Sequence, residues 1–335
     1  MQKIKKRRKI NRRNVLIAVV CGCILLGLTA WGVLWANKKI YGMIKQKNMK
    51  EDIAAVIEKH EDFVKSLDSV QQPSEISSET FQSLKQMALT DTDFSLLDQY
   101  KPDEKVSDEY YKQVMDLKNL TGNPEAASLF LNIGDYSEDI LTFYLRDTDR
   151  YEFVKAYPER SNYQSGTPAL SENLNEVPGL IQWDLRWGYY PYGDLDVAYA
   201  GCAPTALAMV ISYLNQDPMV TPNVVARHSE DAGMYVLGVG TSNELLTEAA
   251  DYYGIQSESV NIDEESVKAA LADGKILILS MMPGKFTTTG HFIVAYKDEN
   301  GQMKIHDPNS LKRSSQLWDY SEVLSESNAV WAYSK

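Results

Sequence analysis

Cys202 is the one thiol outside the apolar stretch that holds Cys21 and Cys23. It stands in GCAPTALAMVISYL, just before a helix expected to start at Pro204. There, backbone N–H groups and the helix dipole favour a thiolate. A cysteine so placed can be a nucleophile, although a lone cysteine is more often a small buried hydrophobe. Gly201 and Ala203 on either side leave room for a substrate to approach. His291 follows FTTTG and opens HFIVAY, at the mouth of a strand beside Gly290. Asp307 closes the partner strand in HDPN, 16 residues later. A hairpin turning at Asn300-Gly301 brings these two ends side by side as cross-strand neighbours. A carboxylate can then fix the imidazole tautomer while the other ring nitrogen faces a thiol. Taken alone, the two also read as a surface histidine and a turn-forming aspartate. His306 is the competing base, and strand alternation points it away from the face of Asp307.

Gln182, in IQWDLRWGYYPYG, has a side-chain amide suited to stabilising an oxyanion. Beside two tryptophans, anchoring a loop is the stronger reading from position alone. Trp183, Trp187, Tyr189, Tyr190 and Tyr192 either line a groove for an extended peptide or belong to core and rim. On the groove reading, Trp183, Trp187, Tyr190, Gly201 and Gly290 are the candidate substrate contacts. No metal or cofactor is expected. Asp194 and Asp196 lack the glycine and distant glutamate of a calcium loop, and four histidines with one lone cysteine make a poor zinc set.

The elements around these residues follow from periodicity and turn chemistry. GCAPTALAMVISYL carries an apolar face and stops at NQDP. SNELLTEAADYYG is a helix ending at Gly254, and DEESVKAALADG is a helix opened by Asp263 and closed by Gly274. KILILSMM is a buried strand, and HFIVAYKDENGQMKIHD is a hairpin. Helices precede strands, which points to an α+β fold.

Upstream, Val15 to Ala36 runs 22 residues without a charge, enough for a helix to cross a hydrocarbon core of about 30 Å. Eight Lys/Arg and no acid occupy residues 1–14. This asymmetry predicts a cytoplasmic N-terminus and an extracellular C-terminal domain, a single-pass protein of the cell membrane. A cleaved signal peptide is the competitor, but the apolar core is long for one and no A-x-A site follows. The net charge of −12 hides the contrast, because residues 15–335 hold 26 basic against 46 acidic side chains. So acidic a region is unsuited to nucleic acid. Residues 37–121 read as a polar helical stalk. Ile53, Val56, Ile57, Val64 and Leu67 form one apolar stripe, for a helix that packs locally or for weak self-association. Residues 122–158 read as a short helical region, with Asn123-Pro124 opening a helix. Residues 159–175 read as a Ser/Asn/Gly/Pro linker, and residues 176–335 as the catalytic domain.

QWDLRWGYYPYGD, GCAPTALAMVISYL, TTTGHFIVAY and HDPNS occur here in the order found in the cysteine peptidases related to double-glycine leader (bacteriocin-processing) peptidases, cysteine-peptidase family 39. The resemblance covers about residues 178–335. It implies a papain-like fold, with a helical part bearing the cysteine and an antiparallel sheet bearing histidine and aspartate. It also implies Cys202 as nucleophile, His291 as base, Asp307 as orienting residue and Gln182 as the oxyanion-hole glutamine. Two departures stand out. Cys202 comes twenty positions after Gln182 where the leader peptidases have a few, and Ala203 replaces a usual glycine. The exporter-linked members also carry an ATPase cassette, and no G-x-x-x-x-G-K-[ST] occurs here. The expected activity is a membrane-anchored extracellular cysteine peptidase acting on a peptide or cell-wall peptide, with peptide or isopeptide bonds as targets. The alternatives are a non-catalytic peptide-binding module and an amidase- or transglutaminase-type acyl transferase on the same fold.

Overall fold

The computed structural model describes residues 12–90, 94–117 and 122–335. Residues 1–11, most of the basic tail, lie outside the described residues. The chain divides into two compact units. One comprises the described parts of Met1–Gln72 and Phe81–Leu131; the other comprises Pro73–Thr80 with Asn132–Lys335.

In the first unit a single helix, α1, runs Arg12–Asp68 for 57 residues, about 85 Å at 1.5 Å per residue. The apolar segment and the start of the stalk are therefore one continuous rod. None of the described residues packs on its apolar end: Leu16, Leu26, Trp31, Leu34 and Trp35 are all exposed. A helix this long and apolar is compatible with one membrane span. Further along, Met49 and Ile53 are buried, and with Val56 and Ile57 they pack on Leu97, Val106 and Val114. Val114 lies on α2, Asp108–Met115, whose cap Ser107 accepts the backbone N–H of Tyr110. This part of the stripe is covered by the chain itself. Asn123 caps the helix Pro124–Leu131 by accepting two backbone N–H groups at 3.0 Å.

The second unit is built on a six-stranded antiparallel sheet. Its strands are β1 (Gln256–Ser259), β2 (Ile276–Met281), β3 (His291–Glu299), β4 (Gln302–His306), β5 (Leu317–Trp318) and β6 (Ser327–Ser334), in the order β1-β6-β2-β3-β4-β5. All six residues of β2 are buried, as a strand covered on both faces requires. On one face lie α3 (Cys202–Asn215), α4 (Pro222–Asp231) and α5 (Leu245–Tyr253). Leu207 and Val210 share a core there with Ile278, Phe292 and Val294. On the other, α6 (Glu264–Ala272) sets Val267 and Leu271 in a core with Leu277, Leu279, Ile293 and Ala295. The α+β reading and its principal helices and strands are present. The helix α4, with Pro222 at its start, and the strands β1, β5 and β6 are absent from it.

Asn132–Lys335 share one unit, so the short helices after residue 132 pack with the sheet-bearing part. Phe153 stacks on Tyr189 at 4.1 Å, and the Tyr189 hydroxyl donates to the Phe153 carbonyl at 2.6 Å. Within residues 159–175, Leu170 and Leu174 are buried in the α3 core, and the Leu170 N–H donates to the Pro218 carbonyl at 2.7 Å.

Candidate active site

Cys202 is the first residue of α3 and is partly exposed. Two helices meet immediately before it. The short helix Val197–Ala200 ends where the Gly201 N–H donates to the Val197 carbonyl at 2.8 Å. The Gly201 carbonyl then accepts the Thr205 N–H at 2.9 Å, starting α3. A Cβ on Gly201 would lie 2.5 Å from the Val197 carbonyl oxygen. A glycine here therefore lets the two helices approach, which gives Gly201 a packing role beside its reading as a substrate contact. Helix initiation at Cys202 leaves its own N–H and that of Ala203 in the unbonded first turn, while Pro204 has none to offer.

His291 is the first residue of β3, and Asp307 immediately follows β4. The turn is the expected one: Glu299 pairs with Gln302 across Asn300-Gly301, whose φ angles of 57° and 82° suit a two-residue type I′ hairpin. A bulge between Ala295 and Lys297 shifts the register, so that Val294 pairs with His306. Continued by one step, that register sets Asp307 opposite Ile293. His291 is thus its diagonal neighbour, and the ring spans the offset: His291 Nε2 is 2.7 Å from Asp307 Oδ1. With Nε2 engaged, Nδ1 is the nitrogen left for the thiol.

Both partners are buried. Burial works against an imidazolium, but the Asp307 charge and hydrogen bond, with Cys202 adding, override it and raise the His291 pKa to about 10. Burial likewise opposes the Asp307 carboxylate. His291 and Arg313 outweigh it and hold the carboxyl below its usual range. Asp307 accepts from three donors: Oδ1 takes His291 Nε2 and, at 2.7 Å, the Asn309 N–H, while Oδ2 takes Arg313 Nε at 2.5 Å. His306 is excluded as the partner of Asp307. Its Nε2 lies 3.0 Å from the Val177 carbonyl, its ring stacks on Tyr296, and burial lowers its pKa to about 4.

Gln182 is buried between the two halves of this arrangement. Its backbone N–H donates to the Pro308 carbonyl, next to Asp307, and its Nε2 donates to the Ala198 carbonyl near Cys202, both at 2.7 Å. The nineteen intervening residues fold out as a loop and a short helix and return, so the long spacing does not separate the two side chains' neighbourhoods. The amide keeps a second hydrogen, and Oε1 has no partner among the described residues.

The aromatic cluster is mostly structural. Trp187 has no exposed surface and donates its Nε1–H to the Ile181 carbonyl at 2.8 Å, so a substrate cannot reach it. Tyr189 and Tyr192 are buried too. Trp183 is nearly so, with its indole N–H unpartnered among the described residues. Tyr190 is half-buried and accepts Arg227 Nε at 3.0 Å, while Gly290 is exposed with open space around it. Sequence reasoning missed Arg313 and Asn309. Their only local sign was the run HDPNSLKRS, in which Ser310 caps a short helix, Leu311–Ser314, that carries Arg313.

Residues 174–335 match the model of the Peptidase_C39 like family. This part of the chain is similar to Peptidase_C39-like domains. Several solved structures resemble it, two of them as follows. One is the peptidase domain of Streptococcus ComA, a bi-functional ABC transporter involved in a quorum sensing pathway, at 21% identity over 43% of this chain and 96% of that one, with a TM-score of 0.31. The other is a candidate C39-like peptidase from Bacillus anthracis, at 16% identity over 48% of this chain and 96% of that one, with a TM-score of 0.30. No curated protein matches the chain. The matched region begins after the helices at residues 133–163, although these share its compact unit.

Proposed function

We propose that this chain is a membrane-anchored extracellular cysteine peptidase that forms a thioester on Cys202. The observation carrying the reading is the buried Asp307–His291 pair at 2.7 Å, with Cys202 close enough to stabilise the imidazolium. The family match supports the reaction class.

In this mechanism His291 holds the proton that Cys202 gives up, and the sulfur acts as the nucleophile. The sulfur attacks the scissile carbonyl carbon, and the π pair moves to oxygen. The Cys202 N–H and the second amide hydrogen of Gln182 stabilise that oxyanion. As the tetrahedral intermediate collapses, the C–N bond breaks and His291 gives its proton to the leaving amine. The thioester remains. Neutral His291 then takes a proton from water, the resulting hydroxide attacks the thioester, and the sulfur leaves as thiolate with the imidazolium restored. α1 holds the domain at the outer surface, with the basic tail in the cytoplasm.

One experiment tests chemistry and orientation together. Intact cells are treated with a membrane-impermeant peptide electrophile, and the adduct is mapped by mass spectrometry. Labelling at Cys202 that disappears in Cys202→Ala is the expected result. Failure to label folded protein after lysis overturns the catalytic role, and labelling only after lysis overturns the orientation. Amide products on adding free amines would move the assignment to acyl transfer.

A further inference from the structure

Arg150 lies upstream of residue 174, where the family match begins. It ends the turn Thr148–Arg150 and is only 6% exposed. One terminal nitrogen donates to the Phe143 carbonyl at 2.9 Å, and the other donates to Asn309 Oδ1 at 3.0 Å. The guanidinium carbon stands 3.9 Å over the Phe143 ring, and the buried Nε has no partner among the described residues. Neither acceptor is charged. A cation taken out of water without a bound carboxylate is costly, and an apolar side chain would fill the same space more cheaply.

What this cation holds is part of the site. Asn309 gives its backbone N–H to Asp307 Oδ1, the oxygen that also takes His291 Nε2. We propose that Arg150 is a positioning residue, acting through Asn309 to hold Asp307 and His291 in register, so that the functional unit begins upstream of the matched region. This rests on the reading of Cys202 as the nucleophile.

The test needs no substrate. In the full chain, the rate of Cys202 carboxymethylation by iodoacetate is followed against pH, with the Cys202 peptide resolved from Cys21 and Cys23 by mass spectrometry. An imidazolium attracts the anionic reagent, so the rate falls as His291 loses its proton. The charged and titratable groups around that ring are Asp307 and Cys202, with Arg313 behind the carboxylate. Arg150→Met should move this alkaline limb to lower pH and slow the reaction by about tenfold, as for a modest misplacement of reacting groups. Arg150→Lys should recover part of the loss. Asn309→Ala should reproduce it, and the double variant should be no worse than either single one. A folded Arg150→Met protein with an unmoved limb overturns the proposal, and so do additive effects in the double variant. If Arg150→Met does not fold, Asn309→Ala against the wild type decides by the same limb. A wild-type protein without any alkaline limb would instead sink the catalytic reading itself.

Discussion

The Asp307 carboxylate meets only donors among the described residues, and that decides how its variants behave. An asparagine can keep one oxygen for His291 and Asn309, but its NH2 then confronts Arg313 Nε. Asp307→Asn should therefore be more damaging than loss of charge alone implies. On the proposed mechanism, Cys202→Ala and His291→Ala each lower kcat by about 10⁴-fold or more, since they act as one unit. Gln182→Ala removes one oxyanion donor and costs about 10²–10³ in kcat with KM little changed. Steady-state kinetics of the four variants checks the order, and a Gln182→Ala effect confined to KM would make that residue structural. Because His291 is raised to about 10, kcat/KM should hold through neutral pH and fall on a limb near that value. Asp307→Asn removes the charge that raises it, so the limb should move down.

At the scale of elements, the site depends on two junctions. The first is the Asn300-Gly301 hairpin with its bulge, because register alone sets whether His291 can reach Asp307. The second is Gly201, where the short helix hands over to α3. Two explanations of that glycine differ in outcome. Room for substrate predicts that Gly201→Ala raises KM in a protein of normal stability. The contact of 2.5 Å with the Val197 carbonyl predicts a loss of about 1–3 kcal/mol, the usual cost of overpacking, with Cys202 displaced. Denaturant unfolding of Gly201→Ala separates them, and an unchanged midpoint rejects the packing account.

For the molecule as a whole, the histidines bound stability from both sides. The His291 pKa is raised by folding, so its contribution is full below the unfolded value of about 6.5 and is lost as pH rises toward about 10. His306 is lowered to about 4, so its contribution is full above about 6.5 and is lost as pH falls toward about 4. The lowered Asp307 adds to the acid side, contributing above its unfolded value of about 3.9 and fading below it. The second unit should be most stable near neutrality. Unfolding midpoints across pH should show the alkaline limb flattened in His291→Ala and part of the acid limb flattened in His306→Phe. A profile unaltered by either change would contradict the assignment.

The apolar run from Val15, the helices closed by Gly254 and Gly274, the buried strand KILILSMM and the Asn-Gly hairpin were all legible because each is written in neighbouring residues. So was the placing of Cys202, His291 and Asp307 on a helix start and two strand ends. By itself the sequence determined these elements and the residue types they carry. The tertiary structure alone decided which residues meet. Trp187 went to the core, since a large apolar ring gains more from burial than from lining a groove. Gln182 came beside both ends of the site only through bonds to Pro308 and Ala198. Arg150 reached Asn309 across a separation of 159 residues, and Arg313 turned back onto Asp307 from a single helical turn. No periodicity or turn signal records such contacts, because they depend on how whole elements pack against one another and not on the residues beside them in the chain.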